Sequence, residues 1–301
     1  MAHKLIVTHN GTFHPDDCLA VSVIKVIEER KGNTVEIVRS RKDADWARGD
    51  YVVDVGRVYD PDNNRFDHHQ EGGAGERENG IKYSSLGIVW RKYGVEFCDG
   101  SEEIARKIDK KIVEPTDALD NGQEVVVSKY EDIYPYTLYD IIDLYRPAWH
   151  EKDKTFDQGF FEAMAFAEHF LLREVQMERA RIVARERVHQ LLEGRADKRL
   201  LVIDEYLPVH PDIYEKEKEL LFVIMPTDGG TWALKTVRVN PYEYKARKDL
   251  PSAWAGKERK ELQVITGVPD AEFCHSGRFI AVAHSKDGAL ALAKLALGNE
   301  N

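Results

Sequence analysis

Apolar and polar positions along the chain follow two periods. Lys4 to His9 is β-rich and nearly continuous in apolar character, as a strand covered on both faces would be. From Pro15 onward Leu19, Val23, Val26 and Ile27 recur at helical spacing, until Gly32-Asn33 stops the helix. Thr34–Val38 and Tyr51–Val55 read as two more strands. Strand, helix, strand, strand of this kind predicts a parallel, doubly wound α/β sheet. In such sheets ligands bind beyond the carboxyl ends of the strands, and His9 and Asp54 both come out at that edge.

Further along, Asp60–Asn64 has the composition of a turn, and Gly72–Gly75 that of a flexible loop able to act as a lid. Helices are expected from Tyr83 through Trp90 and Tyr93, and from Ser101 to Val113. A long helical pattern runs from Phe156 to Leu192, with Phe160, Met164, Ala167, Leu171 and Val175 as one apolar stripe. Asp204–Lys216 mixes Pro, His and acidic residues as a loop. Leu220–Met225 and Trp232–Val239 flank the hairpin signal Thr227-Asp228-Gly229-Gly230, and an Ala/Leu-rich helix closes the chain. The expected organisation is a catalytic domain at 1–150, a connecting helix at 151–194 and a smaller α+β domain at 195–301.

Composition narrows the class. With 43% apolar and 32% charged residues, the chain of 301 residues has the make-up of a soluble globular protein. No run reaches the roughly 18 apolar residues of a membrane span, and Met1–Val7 reads directly into a strand without a signal or transit pattern. Three scattered cysteines, Cys18, Cys98 and Cys274, give neither a disulfide framework nor a thiolate zinc motif, so a cytoplasmic setting is expected. A net charge of −10 argues against sequence-independent coating of nucleic acid. It leaves room for an enzyme with a locally basic cleft, because cations cancel the charge of acidic ligands.

Chemistry concentrates in the first part of the chain. Five of the eleven histidines lie within residues 1–69, four of them in Thr8-His9-Asn10-Gly11-Thr12-Phe13-His14-Pro15-Asp16-Asp17 and in Asp67-His68-His69. Imidazole and carboxylate together suit a Mn-, Fe- or Zn-type divalent ion. A third acidic cluster, Glu114-Pro115-Thr116-Asp117-Ala118-Leu119-Asp120-Asn121-Gly122, reads either as ligands or as a solvated turn.

Taken together, His9, His14, Asp16, Asp54 and Asp67-His68-His69 resemble the DHH phosphoesterase superfamily. More narrowly, Thr8–Asp16 with Phe66-Asp67-His68-His69-Gln70 and Asp117–Gly122 resembles the melanocyte proliferating gene family of metal-dependent hydrolases. The similarity runs over nearly the whole chain, through Trp232 and Ser276-Gly277-Arg278-Phe279-Ile280. One departure is that His14-Pro15-Asp16 stands where the superfamily usually has Asp-x-Asp. This removes a hard oxygen and favours Mn²⁺ over Mg²⁺.

The resemblance implies two divalent ions held by His9, His14, Asp16, Asp54, His68 and Asp117, with Asp54 as the bridge and Asp117 chosen over Asp120. Asp17 is read as a helix-start residue, not a ligand. His69 and Asp67 take catalytic roles, His69 as a ligand or phosphate-facing group and Asp67 orienting a histidine. His275, Ser276 and Arg278 are expected to grip the substrate from the second domain, with the start of the last helix near Asp287-Gly288-Ala289 as another anion site. The implied activity is two-metal hydrolysis of a phosphodiester, as a 3′–5′ exonuclease on RNA or short oligonucleotides. Two alternatives stay open: hydrolysis of a small phosphoester such as pyrophosphate or a cyclic dinucleotide, and a non-catalytic relic of the fold. A homodimer also stays open.

Overall fold

The computed structural model describes residues 1–207, 214 and 216–298. Part of the Asp204–Lys216 loop, at 208–213 and 215, therefore lies outside the described residues. The chain forms two compact units, Met1–Glu178 and Arg179–Asn301. The long helix α7, Phe156–Gly194, contributes residues to each unit.

In the first unit a five-stranded sheet has the order β2-β1-β3-β5-β4. Its strands are β1 (His3–Thr8), β2 (Thr34–Arg39), β3 (Tyr51–Val53), β4 (Tyr59–Asp60) and β5 (Arg65–Phe66). β1 runs parallel to β2 and β3, and β3 runs parallel to β5. The expectation of a parallel sheet needs one correction, because β4 is antiparallel to β5. The connection at Pro61–Asn64 is too short for a crossover, and only antiparallel strands can be joined that tightly. Asn64, in the left-handed region at φ +56°, completes the turn.

Both faces of β1 are covered, which explains its lack of alternation. Leu5 and Val7 pack with Val52, Val55 and Trp46 of α2 (Asp43–Arg48), a short helix that the apolar pattern did not announce. Helix α1 (Pro15–Arg30) packs against α3 (Ser85–Phe97), β1 and β2. Proline at its first position and acidic residues in its first turn fit its N-terminus. α4 (Glu102–Ile108) passes through a π turn into α5 (Glu114–Asp120), so the start of the third acidic cluster is helical rather than a turn. α6 (Leu138–Asp143) follows. The stripe Phe160, Met164, Ala167, Leu171 and Val175 of α7 is buried as its period requires, and the Phe160 ring meets Phe13 edge-on at 5.8 Å.

In the second unit a mixed sheet has the order β6-β7-β8-β10-β9. It is built from β6 (Leu200–Val202), β7 (Phe222–Pro226), β8 (Trp232–Thr236), β9 (Ala271–Cys274) and β10 (Ile280–Ala283). The β7–β8 hairpin turns at Thr227–Gly230, as its glycines indicate. Phe222, Ile224 and Leu234 form a core with Leu292, Ala293 and Ala296 of α9 (Lys286–Gly298). Val223 and Met225 pack with Val188 and Leu192 of α7. α8 (Arg259–Thr266) lies by β9. No helix among the described residues is long and apolar enough to cross a membrane.

Candidate metal centre

The strand register builds the site. Thr8 pairs with Val53, and Val53 pairs with Phe66. The residues that follow, His9, Asp54 and Asp67, therefore emerge side by side at the carboxyl ends of three neighbouring parallel strands, at spacings of about 4.8 Å. Asp54 takes φ +54°, a left-handed turn at the strand end. α1 begins directly after His14 and brings Asp16 and Asp17 to the same edge, while α5 adds Asp120.

Three groups of imidazole and carboxylate atoms result: His9 with Asp17 and Asp54, Asp54 with His68 and His69, and His14 with Asp16 and Asp120. His9 Nε2 lies 3.1 Å from Asp17 Oδ2 and 3.2 Å from Asp54 Oδ2. His68 Nε2 lies 3.4 Å from Asp54 Oδ1 and 3.2 Å from Asp120 Oδ2. Asp54 is thus common to two groups, and Ser85 at the start of α3 donates to its Oδ1 at 2.8 Å.

Crowded carboxylates in a buried place disfavour full ionisation, and the titration behaviour reflects this. Burial pushes the Asp16 carboxyl well above its ordinary value, and the charges of Asp120, Asp54 and Asp17 push it the same way. For His9 burial favours the neutral ring, but hydrogen bonds to Asp17 and Asp54 outweigh it and raise its pKa to about 10. Burial also opposes ionisation of Asp54, yet hydrogen bonds from His68 and His9 hold it below the usual carboxylate range.

These residues fit a divalent cation. Asp16 is fully buried, and neither carboxylate oxygen has a hydrogen bond of normal geometry among the described residues. The Asp17 amide alone offers it a weak backbone interaction. A buried carboxylate without partners costs on the order of several kcal/mol in desolvation unless a cation or proton accompanies it. A mixed set of imidazoles and carboxylates is the donor set of a borderline transition-metal ion.

Asp117 requires a correction. It is buried and belongs to none of the three groups: Oδ1 accepts from Ser84 N–H (3.2 Å) and Oγ–H (2.6 Å), and Oδ2 accepts from Arg77 Nη2 (2.7 Å). Burial pushes its pKa up to about 6 against the opposing pull of Ser84 and Arg77. Asp120, one turn further along α5, is the residue that joins His14 and Asp16. Asp17 serves two ends. Its Oδ1 accepts the backbone N–H groups of His14 and Cys18, both at 2.8 Å, as a helix-start residue should, and its Oδ2 faces His9.

Asp67 accepts from the His69 ring at Nδ1 (2.8 Å), from His69 N–H (3.0 Å) and from Arg57 N–H (2.5 Å), so it fixes the orientation of His69. Tyr139 on α6, absent from the sequence reading, donates to Asp120 Oδ1 at 2.5 Å. Burial and the charges of Asp16 and Asp120 raise its pKa strongly and keep the phenol a donor. No motif announces Tyr139 or Ser85; only the packing of α6 and α3 against the sheet edge brings them in.

His275, Ser276 and Arg278 occupy the β9–β10 turn of the second unit. His275 Nδ1 accepts from Gly277 N–H at 2.9 Å, Ser276 is exposed, and Arg278 pairs with Asp249 at 2.8 Å. The start of α9 is filled by the chain itself. Asp270 Oδ2 accepts from Ser285 N–H and Oγ–H, and a Cβ on Gly288 would meet Asp270 Oδ1 at 2.1 Å.

A manganese-bound RecJ from Thermus thermophilus overlaps 99% of this chain and 53% of its own, with 11% identity and a TM-score of 0.31. The present chain therefore spans about half the length of that protein. The overlap is loose, and nothing about this site follows from it. Sequence similarity is closer. A MYG1 protein of Saccharomyces cerevisiae is 30% identical over 98% of this chain and 96% of its own. MYG1 exonucleases of Rattus norvegicus and Homo sapiens are 31% and 29% identical, over 99% and 100% of this chain and 85% and 88% of theirs. The family model MYG1_exonuc, described as "Uncharacterised protein family (UPF0160)", matches residues 5–297. With that match running almost end to end, this chain belongs to the MYG1 (UPF0160) family.

Proposed function

We propose that this protein is a divalent-metal-dependent phosphoesterase that removes nucleotides from RNA or short oligonucleotides as a 3′–5′ exonuclease. The observation that carries the reading is Asp16, a fully buried carboxylate with no hydrogen bond of normal geometry among the described residues, set among three imidazole–carboxylate groups. Relatives named exonuclease support nucleic acid as the substrate class. The 3′–5′ polarity rests on the family resemblance.

His9, Asp17, Asp54, His68, His14, Asp16 and Asp120 would hold two cations, with Mn²⁺ favoured over Mg²⁺ by the imidazole content. Such ions supply Lewis-acid neutralisation of phosphate charge and acidify a water at neutral pH. The remaining work falls to the chain's own groups. With Nδ1–H donating to Asp67, the half-exposed His69 ring lines the cleft, and its Nε2 would bond a phosphate oxygen or hand a proton to the leaving group. Ser85 and Tyr139 fix Asp54 and Asp120, so the acidic groups need not reorganise when substrate arrives.

The test is Mn²⁺-dependent release of mononucleotides from an end-labelled short RNA, with bound metal measured alongside. Wild type should release nucleotides and lose this with a chelator, and Asp54→Ala and His68→Ala should fall by about 100-fold or more. Full activity in both variants would overturn the ligand assignment. Activity on pyrophosphate alone would replace the substrate class.

A further inference from the structure

A cleft of about 500 Å³ opens from the cluster toward α2. Its lining joins His9, His14, Asp54 and His69 with Arg41 and Arg57. Resting on the phosphoesterase reading, we propose that Arg41 and Arg57 form a phosphate subsite that holds an oligonucleotide substrate against the cluster.

Three observations support it. First, both arginines are exposed, and neither guanidinium has an ion pair or hydrogen bond among the described residues. Several other arginines of this unit are committed to carboxylates: Arg30 pairs with Asp99, Arg39 with Asp157, and Arg77 with Asp109 and Asp117. Two uncommitted guanidiniums on one cleft present forked donors that match phosphate oxygens.

Second, the position of Arg57 is built rather than incidental. Its backbone sits in the left-handed region at φ +55°, just after Gly56 at φ +96°. A non-glycine residue held there carries strain that persists only where the surroundings fix it. Here they do, because its N–H donates to Asp67 Oδ2, and Asp67 also orients His69. The Arg57 backbone and the His69 ring therefore hang from one carboxylate, which places the base of the arginine beside the histidine. Third, the charge is complementary. Once cations neutralise the acidic groups, the arginines leave the cleft positive, as an anionic ligand requires.

The full chain, saturated with Mn²⁺, should be titrated calorimetrically with adenosine 5′-monophosphate, inorganic phosphate and adenosine. The variants are Arg41→Ala, Arg57→Asn (asparagine tolerates a positive φ) and the double substitution. Each single change should weaken the monophosphate about 10-fold and the double change further, with Mn²⁺ binding unchanged. In RNA cleavage the KM should rise by a similar factor. Inorganic phosphate should compete with the monophosphate, and adenosine should not. A double variant that binds the monophosphate within about twofold of wild type overturns the subsite, as does a wild type that does not bind it. A wild type that binds through these arginines but cleaves no RNA sinks the phosphoesterase reading and leaves the subsite standing.

Discussion

Asp117 and Asp120 lie one turn apart on α5 and have opposite partners. Asp117 neutralises Arg77 in a buried network with Ser84 and Asp109, whereas Asp120 faces His14, Asp16 and His68. Removing one member of a buried ion pair typically costs about 3 kcal/mol or more, because the other charge is left uncompensated. Asp117→Asn should therefore lower the unfolding temperature by several degrees yet retain Mn²⁺ binding. Asp120→Asn should do the reverse, with a small stability change and a loss of metal affinity. Thermal unfolding with and without Mn²⁺ separates the two. If Asp117→Asn abolishes metal binding in a protein that is still folded, the placement of the two residues is wrong. Sequence alone could not choose between them. At positions i and i+3 both lie on nearly the same helix face, and the choice depends on Arg77, whose contact with α5 is long-range.

Among the elements, α3 shows how packing overrules propensity. Gly87 in its first turn should favour alanine by up to about 1 kcal/mol on helix propensity alone. A Cβ there would instead lie 2.2 Å from Asp117 Oδ2. Gly87→Ala is expected to destabilise the protein by about 1–3 kcal/mol, read from urea unfolding. An unchanged or increased stability would contradict the packing of α3 on α5. At the other end of the sheet, Glu28 ties α1 to β3. Its buried carboxylate accepts from Tyr51 OH (2.7 Å), Asn33 Nδ2 (2.7 Å) and Lys31 Nζ (3.3 Å). Burial opposes its ionisation, but those donors outweigh it and lower its pKa. A carboxyl with a depressed folded pKa stabilises fully above its unfolded value, here near 4.5, and loses that contribution as pH falls through the folded value. Glu28→Gln should thus be less stable than wild type at neutral pH, by about 1 kcal/mol, and the gap should narrow as pH falls below about 4.5. A gap that does not narrow as pH is lowered would mean that the loss comes from packing rather than from charge.

For the molecule as a whole, local signals reached a defined distance. β1, α1, β2 and β3 were legible because each carries its own period and stop signals, and α7 because its stripe is long and regular. The two-residue strands β4 and β5 and the short helices α2 and α6 were not, since segments of two to six residues hold too little pattern to register. For the site, the sequence determined which residue types were available and that His9 and Asp54 lie at strand ends, whereas the short strand before Asp67–His69 was not legible. Those properties belong to the chain locally, because a strand's end is written in its own residues. Only the tertiary structure decided that β1, β3 and β5 are adjacent and in register, that Asp120 turns to the cluster while Asp117 turns to Arg77, and that Tyr139 and Ser85 complete it. Those choices come from long-range pairing and from which buried charge finds which partner, and no stretch of sequence contains both members of such a pair.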